Sequence, residues 1–158
     1  MSVWRRNTTN ILVGGILLVI IAMGVGFFLT LKNDSRVDLQ IASGVYKAYV
    51  ANNQAEREKG LSEFTSLSDS EAMLFVFDSD DRWGIWMKDM QIPIDVVWLT
   101  ADKVVVDIER NLSPELGDKT TFYPEEPARY VLEVAAGGVT KAGIKVGQRA
   151  VFNVADVR

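Results

Sequence analysis

Val37, Leu39 and Ile41 alternate with Asp38 and Gln40, the period of a strand buried on one face. Gly44 interrupts the alternation, which resumes from Val45 to Val50. Met73 to Phe77 (MLFVF) is a short continuous apolar run suited to a buried strand. The polar stretch Asp78 to Arg82 reads as a loop before a further strand, Trp83 to Met87 (WGIWM). Ile92 to Leu99 is the strongest strand pattern, and Ala101-Asp102 supplies a turn into Val104 to Ile108. A long loop from Asn111 to Pro127 holds three of the four prolines, and Tyr130 to Val134 and Ala150 to Val154 complete the strands. One helix stands out: Asn52 or Asn53 caps it, Gln54 to Lys59 form it, and Gly60 ends it in the left-handed conformation. A second turn of helix is expected at Val139 to Ala142, between Gly137-Gly138 and Gly143. The pattern predicts a mainly β domain, a compact β-sandwich or partly closed barrel with one or two short helices. Parallel βαβ units are not expected, because the connections lack long helices.

Ahead of this domain, Ile11 to Leu31 contains no charged residue. About 20 residues at ~1.5 Å rise cross a hydrocarbon core of ~30 Å, so the run is expected to be a transmembrane helix lodged in membrane lipid. Arg5 and Arg6 precede it, whereas Lys32 and Arg36 after it are offset by Asp34 and Asp38. Positive flanks stay in the cytoplasm. The expected order is a cytoplasmic N-terminus (1–10), an anchor (11–31), a linker (32–36) and a domain (37–158) outside the cell or inner membrane. A cleaved signal peptide is the competing reading, but its apolar region is usually about 7–15 residues, shorter than this run.

Composition narrows the chemistry. There is no histidine and no cysteine. That removes Ser-His-Asp and Cys-His nucleophile systems, HExxH zinc sites, structural zinc clusters and disulfides. Of the 17 basic residues two precede the apolar run, while all 21 acidic residues follow it. The domain is therefore acidic, which argues against a nucleic-acid partner. No cofactor and no metal site is expected. Asp78, Asp80 and Asp81 fall at loop spacing that suits calcium, but without the Gly and late Glu of an EF-hand loop they read as a solvated turn.

The segments MLFVF, WMKDMQIPIDVVWL, YVLEVAAG and GIKVG occur in an order and spacing that resembles the domain-of-unknown-function family numbered 192, widespread in bacteria and archaea. Arg57, Gly60 and Leu61 are similar to its early motif, an Arg before Gly-Leu-Met. The resemblance covers about Val45 to Val154. It implies a compact, mainly β fold and no established activity. Two departures stand out: Ser62 where the family usually has Met, and Asp89-Met90 where it usually has Asn-Thr after Lys88.

Two clusters are candidate sites. Trp86, Lys88, Asp89 and Asp95 bring an aromatic face, a cation and two carboxylates into one short stretch, the groups that stack on and orient a sugar or amphipathic ligand. In the structural alternative, Asp95 is a buried charge satisfied by Lys88, Arg57 or backbone amides. Arg57 and Glu133 form the second cluster, because a Glu between Leu132 and Val134 must face solvent, a partner or a pocket; a structural Arg–Glu bridge is the alternative. Tyr123, Pro124 and Pro127 could line a surface in the long loop. The favoured functional reading is a binding or interaction module for a small polar ligand, a glycan or an extracytoplasmic protein. The second reading is a hydrolase or lyase using Lys88 and the carboxylates of Asp89, Asp95 and Glu133. A structural domain of a membrane complex is a third.

Overall fold

The computed structural model describes residues 35–155. The apolar run 11–31 lies outside the described residues, and no helix among those is long and apolar enough to cross a membrane. The elements, in order, are β1 (Arg36–Ile41), β2 (Gly44–Ala51), α1 (Gln54–Lys59), β3 (Glu71–Asp81), β4 (Ile85–Trp86), β5 (Ile94–Leu99), β6 (Val105–Leu112), a single 3-10 turn (Pro114–Leu116), β7 (Thr121–Phe122), β8 (Ala128–Ala135) and α2 (Gly138–Ala142). The fold is mainly β. Six strands form one mixed sheet in the order β1-β2-β3-β8-β5-β6, and β4 pairs with β7 in a two-stranded ribbon.

The alternation in β1 and β2 appears as alternate burial, and the two strands pair antiparallel. β5 is buried at every position, as expected of a strand covered on both faces. Contrary to expectation, β2 and β3 run parallel. The connection between them, residues 52–70, is long enough for a crossover although its helix has only six residues. β3 also runs past its apolar segment through Asp78–Asp81, so the acidic stretch is exposed strand and not loop. Its pairing with β8 is irregular there, between Val76 and Asp81. Within it, Asp80 pairs with Arg129 at 2.7 Å. The expected strand Ala150–Val154 reduces to an isolated bridge, Val151 to Gln40 on β1. Just before it, Arg149 bridges to Val104, beside β6. The same short segment thus touches both edges of the sheet.

Because side chains alternate, the sheet carries a core on each face. One includes Leu39, Ala48, Leu74, Val97, Leu132, Val139 on α2, and Phe152. The other includes Phe75, Val96, Trp98 and Val131 on the sheet, covered by Leu61, Ile85 and Met87. Trp98 is the largest fully buried side chain, and its ring N–H donates to the Trp83 carbonyl at 2.8 Å. That bond satisfies the polar end of a side chain otherwise wholly in the core.

The helix α1 fits the sequence reading. Asn53 caps it, its side chain accepting from the Glu56 N–H at 3.0 Å. Gly60 ends it at φ 49°, ψ −136°. The φ is positive as expected, but the ψ lies outside the left-handed helical well and in territory open essentially to glycine. Gly60→Ala is therefore expected to destabilise the domain by about 1–3 kcal/mol, measured by urea denaturation; a loss below 0.5 kcal/mol would show that the turn relaxes freely.

Candidate functional site

Glu133 lies in the middle of β8, the strand flanked by β3 and β5. It sits opposite Met73 on one side and Val96 on the other. Its side chain therefore projects from an apolar surface, and the residue is only 4% exposed. Oε2 is buried and has no hydrogen-bond partner. Burial disfavours the ionised form and pushes the carboxyl up to about 8. At neutral pH the group is chiefly a neutral acid that can donate one hydrogen bond and accept another.

The carboxyl lines a cavity of about 420 Å3. This falls in the roughly 300–1,000 Å3 range of small-ligand pockets. Phe75 and Phe77 line it from β3, Leu61 from the turn after α1, and Trp83, Ile85 and Trp86 from β4 and its approach. Phe77 and Trp83 stack with ring centroids 4.1 Å apart and planes 7° apart. Trp86 remains 43% exposed. Glu58 and Lys59 of α1 are also part of the lining, with Arg57 from the same helix and Lys88 from the turn after β4.

Arg57 is held in place without a carboxylate. Its Nη1 donates to the Val76 carbonyl at 2.9 Å, and its guanidinium carbon stands 4.9 Å from the Phe77 ring centroid. The ion pairs among the described residues are Lys47–Asp38, Lys59–Glu63, Arg129–Asp80 and Lys141–Asp69, so neither Arg57 nor Lys88 is neutralised by one. The alternative of a structural Arg57–Glu133 bridge is not what forms: both residues line the cavity, but no ion pair joins them.

Four of the six residues singled out in the sequence, Arg57, Trp86, Lys88 and Glu133, thus meet at one cavity. Asp95 and Asp89 do not. Asp95 pairs with Val134, and Val96 with Glu133, so the two carboxylates project from opposite faces of the sheet. Asp95 is fully buried, and its two oxygens accept from the backbone N–H groups of Asn111 at 2.8 Å and Val139 at 3.0 Å. Gly137, the N-cap of α2, has no side chain to cap the helix, and Asp95 serves that first turn from β5. Asp89 is an exposed turn residue at φ 57°. Asp and Asn are the non-glycine residues that best tolerate this conformation. The exchange of Asn for Asp there therefore has a backbone explanation.

The long loop is tied down. Its residues Thr121–Phe122 form β7, Gly117 O accepts from Met87 N at 3.0 Å, and Pro124 O accepts from Arg82 Nε at 2.6 Å. Tyr123 is 58% exposed and lies close over Gly84, where an added Cβ would come within 2.6 Å of its ring.

The family model DUF192 (Uncharacterized ACR, COG1430) matches residues 37–152. The chain belongs to the DUF192 family. Two solved structures are similar to this DUF192 domain, each at 30% sequence identity and a TM-score of 0.67. One is a protein from Sinorhizobium meliloti 1021, described provisionally as a transcription regulator; the match covers 74% of this chain and 92% of that one. The other is a protein of unknown function from Novosphingobium aromaticivorans DSM 12444, with 73% and 83% covered. No curated protein matches the chain.

The sequence reading of the DUF192 domain missed the aromatic wall. The strand pattern alone gives Phe75, Phe77 and Trp83 no role beyond packing. A signal was present: Met73, Phe75 and Phe77 share the period of one strand face, so all three stand on the side that Arg57 and Glu133 require. Among the described residues no group of three or more His, Cys, Asp or Glu side chains is placed to hold a metal ion.

Proposed function

We propose that this DUF192 domain is a small-ligand binding module, with the cavity over Glu133 as its site and with the segment Ile11 to Leu31 as its tether to the membrane. The observation that carries the first part is the Glu133 carboxyl, buried in an aromatic pocket with Oε2 unpartnered. An unmatched polar atom in an apolar surface costs stability, by roughly 1–3 kcal/mol in mutational data. A ligand hydrogen bond would offset that cost while the aromatic wall takes up the ligand's body. The second part is supported by the uncharged length of the segment and by Arg5 and Arg6 ahead of it, which favour a domain outside the cytoplasm. We read the six-strand sheet as a partly closed barrel, because residues 149–151 hydrogen-bond toward both of its edges.

Regulation of transcription, the provisional description of the Sinorhizobium protein, is not carried over, because the overall charge of this domain is acidic, the wrong sign for a nucleic-acid backbone. The hydrolase or lyase reading loses its carboxylate pair, since Asp95 is on the opposite face and Asp89 does not line the cavity.

In the Sinorhizobium structure the matched region makes up 92% of the chain, so the fold stands without a tether there. Residues 35–158 are therefore the right material for binding measurements. A set of small aromatic compounds screened by amide chemical-shift mapping is expected to give hits whose shifts cluster on residues 57–61, 75–77, 83–88 and 133. Hits that cluster elsewhere, or no hits at all, would overturn the assignment.

A further inference from the structure

We infer that the ligand is a small anionic amphipath: an aromatic or apolar body that fills the cavity, ending in a carboxylate, sulfonate or phosphate directed to Arg57 and Lys88. This rests on the pocket being a binding site and adds the charge of what it takes.

The inference comes from the balance of charges around the cavity. Its lining carries three cations, Arg57, Lys59 and Lys88, against two carboxyls, Glu58 and Glu133. Lys59 is paired with Glu63 at 2.7 Å, whereas Glu58, bonded at 2.7 Å to the neutral Gln54 amide, still offsets one of the remaining cations. The strand neighbours of Glu133, Met73 and Val96, carry no charge. Two cations, Arg57 and Lys88, are left without a carboxylate partner among the described residues. Glu133 is buried deeply enough to keep its proton at neutral pH. The cavity therefore presents net positive charge, an aromatic wall and one neutral acid. A guanidinium and an ammonium beside an apolar wall match an anion with an apolar tail. Arg57 is already oriented by Val76 and Phe77, so little conformational freedom is lost when it engages a ligand. A cationic ligand would have Glu58 to pair with but would sit beside two cations, Arg57 and Lys88.

The pH dependence separates these cases. An anion is held best while Glu133 is protonated and donates, and is repelled once Glu133 ionises as pH rises through about 8. A cation would show the opposite trend.

Two dyes of similar shape supply the test on residues 35–158: 8-anilino-1-naphthalenesulfonate, and N-phenyl-1-naphthylamine, which lacks the sulfonate. Fluorescence titration at pH 6.5 is expected to give saturable binding of the sulfonate, with Lys88→Gln weakening it about tenfold, equivalent to ~1.4 kcal/mol, and weakening the neutral dye far less. Raising the pH to 9 is expected to weaken sulfonate binding to the wild type about tenfold or more, but not to Glu133→Gln, which stays neutral. Circular dichroism confirms that each sample is folded. If the neutral dye binds equally well, if Lys88→Gln has no effect, or if sulfonate affinity rises with pH, the anionic assignment is wrong while the pocket stands. If neither dye binds to folded protein, the pocket reading itself fails.

Discussion

Glu133→Gln is expected to flatten the pH dependence of stability, making the variant more stable than the wild type above pH 8 by several kcal/mol. The folded state holds a proton on Glu133 up to about pH 8, whereas an unfolded Glu releases it near 4.3–4.5. Across that window the folded form binds more protons than the unfolded form, so stability falls as pH rises. The contribution is fully present below the unfolded value and lost as pH climbs through the folded value. A shift of this size corresponds to on the order of 4–5 kcal/mol at ~1.36 kcal/mol per pH unit, a large share of the ~5–15 kcal/mol of a typical domain. Gln keeps the shape and cannot ionise. Its amide meets the same shortage of partners, so a constant offset between the two proteins is expected, and the informative quantity is the slope. Urea denaturation at pH 5, 7 and 9 measures it. Parallel curves for wild type and variant would mean that water reaches the carboxyl freely.

Asp95→Ala is expected to destabilise the domain by about 3–5 kcal/mol, among the largest costs of any single side chain here. Two backbone N–H groups lose their acceptor at once. One belongs to Asn111, which sits at φ 53° at the end of β6. The other belongs to Val139 in the first turn of α2, where glycine cannot substitute as a cap. Asp95→Asn retains one acceptor and turns a donor toward the other N–H, so an intermediate loss is expected. If urea denaturation gives a loss under 1 kcal/mol for Asp95→Ala, water must take over both bonds. A selective effect on dye binding, with stability intact, would instead return Asp95 to the ligand site.

The strands and the short helix were legible because their signals are local. Alternation in β1, continuous burial in β5 and the Asn53–Gly60 frame of α1 each depend on residues a few positions apart. Other features were not, among them β7 inside the expected loop and the reduction of Ala150–Val154 to a single bridge. The parallel pairing of β2 with β3 is decided by where the 52–70 connection goes, and no local pattern encodes that direction. The extension of β3 through Asp78–Asp81 ran against composition, because charged residues at a strand's exposed end look like a loop. For the site, the sequence supplied Glu133 and Arg57 as odd residues in their surroundings. It could not say that Asp95, equally odd, faces the other way. That distinction depends on the register in which β5 lies against β8, where a one-residue slip would exchange the two faces.

The position of β8 has a consequence for how the molecule is made. Among the described residues it is the last strand in chain order, yet it lies between β3 and β5 and joins β1-β2-β3 to β5-β6. Until Ala128–Ala135 has emerged from the ribosome, or from a translocation channel, the halves share no strand and the inner edges of β3 and β5 stay bare. Nascent chains with such edges are prone to pair with one another. The two halves therefore cannot join until Ala128–Ala135 is available, and a chaperone that shields β3 and β5 during that interval would act at the most vulnerable point.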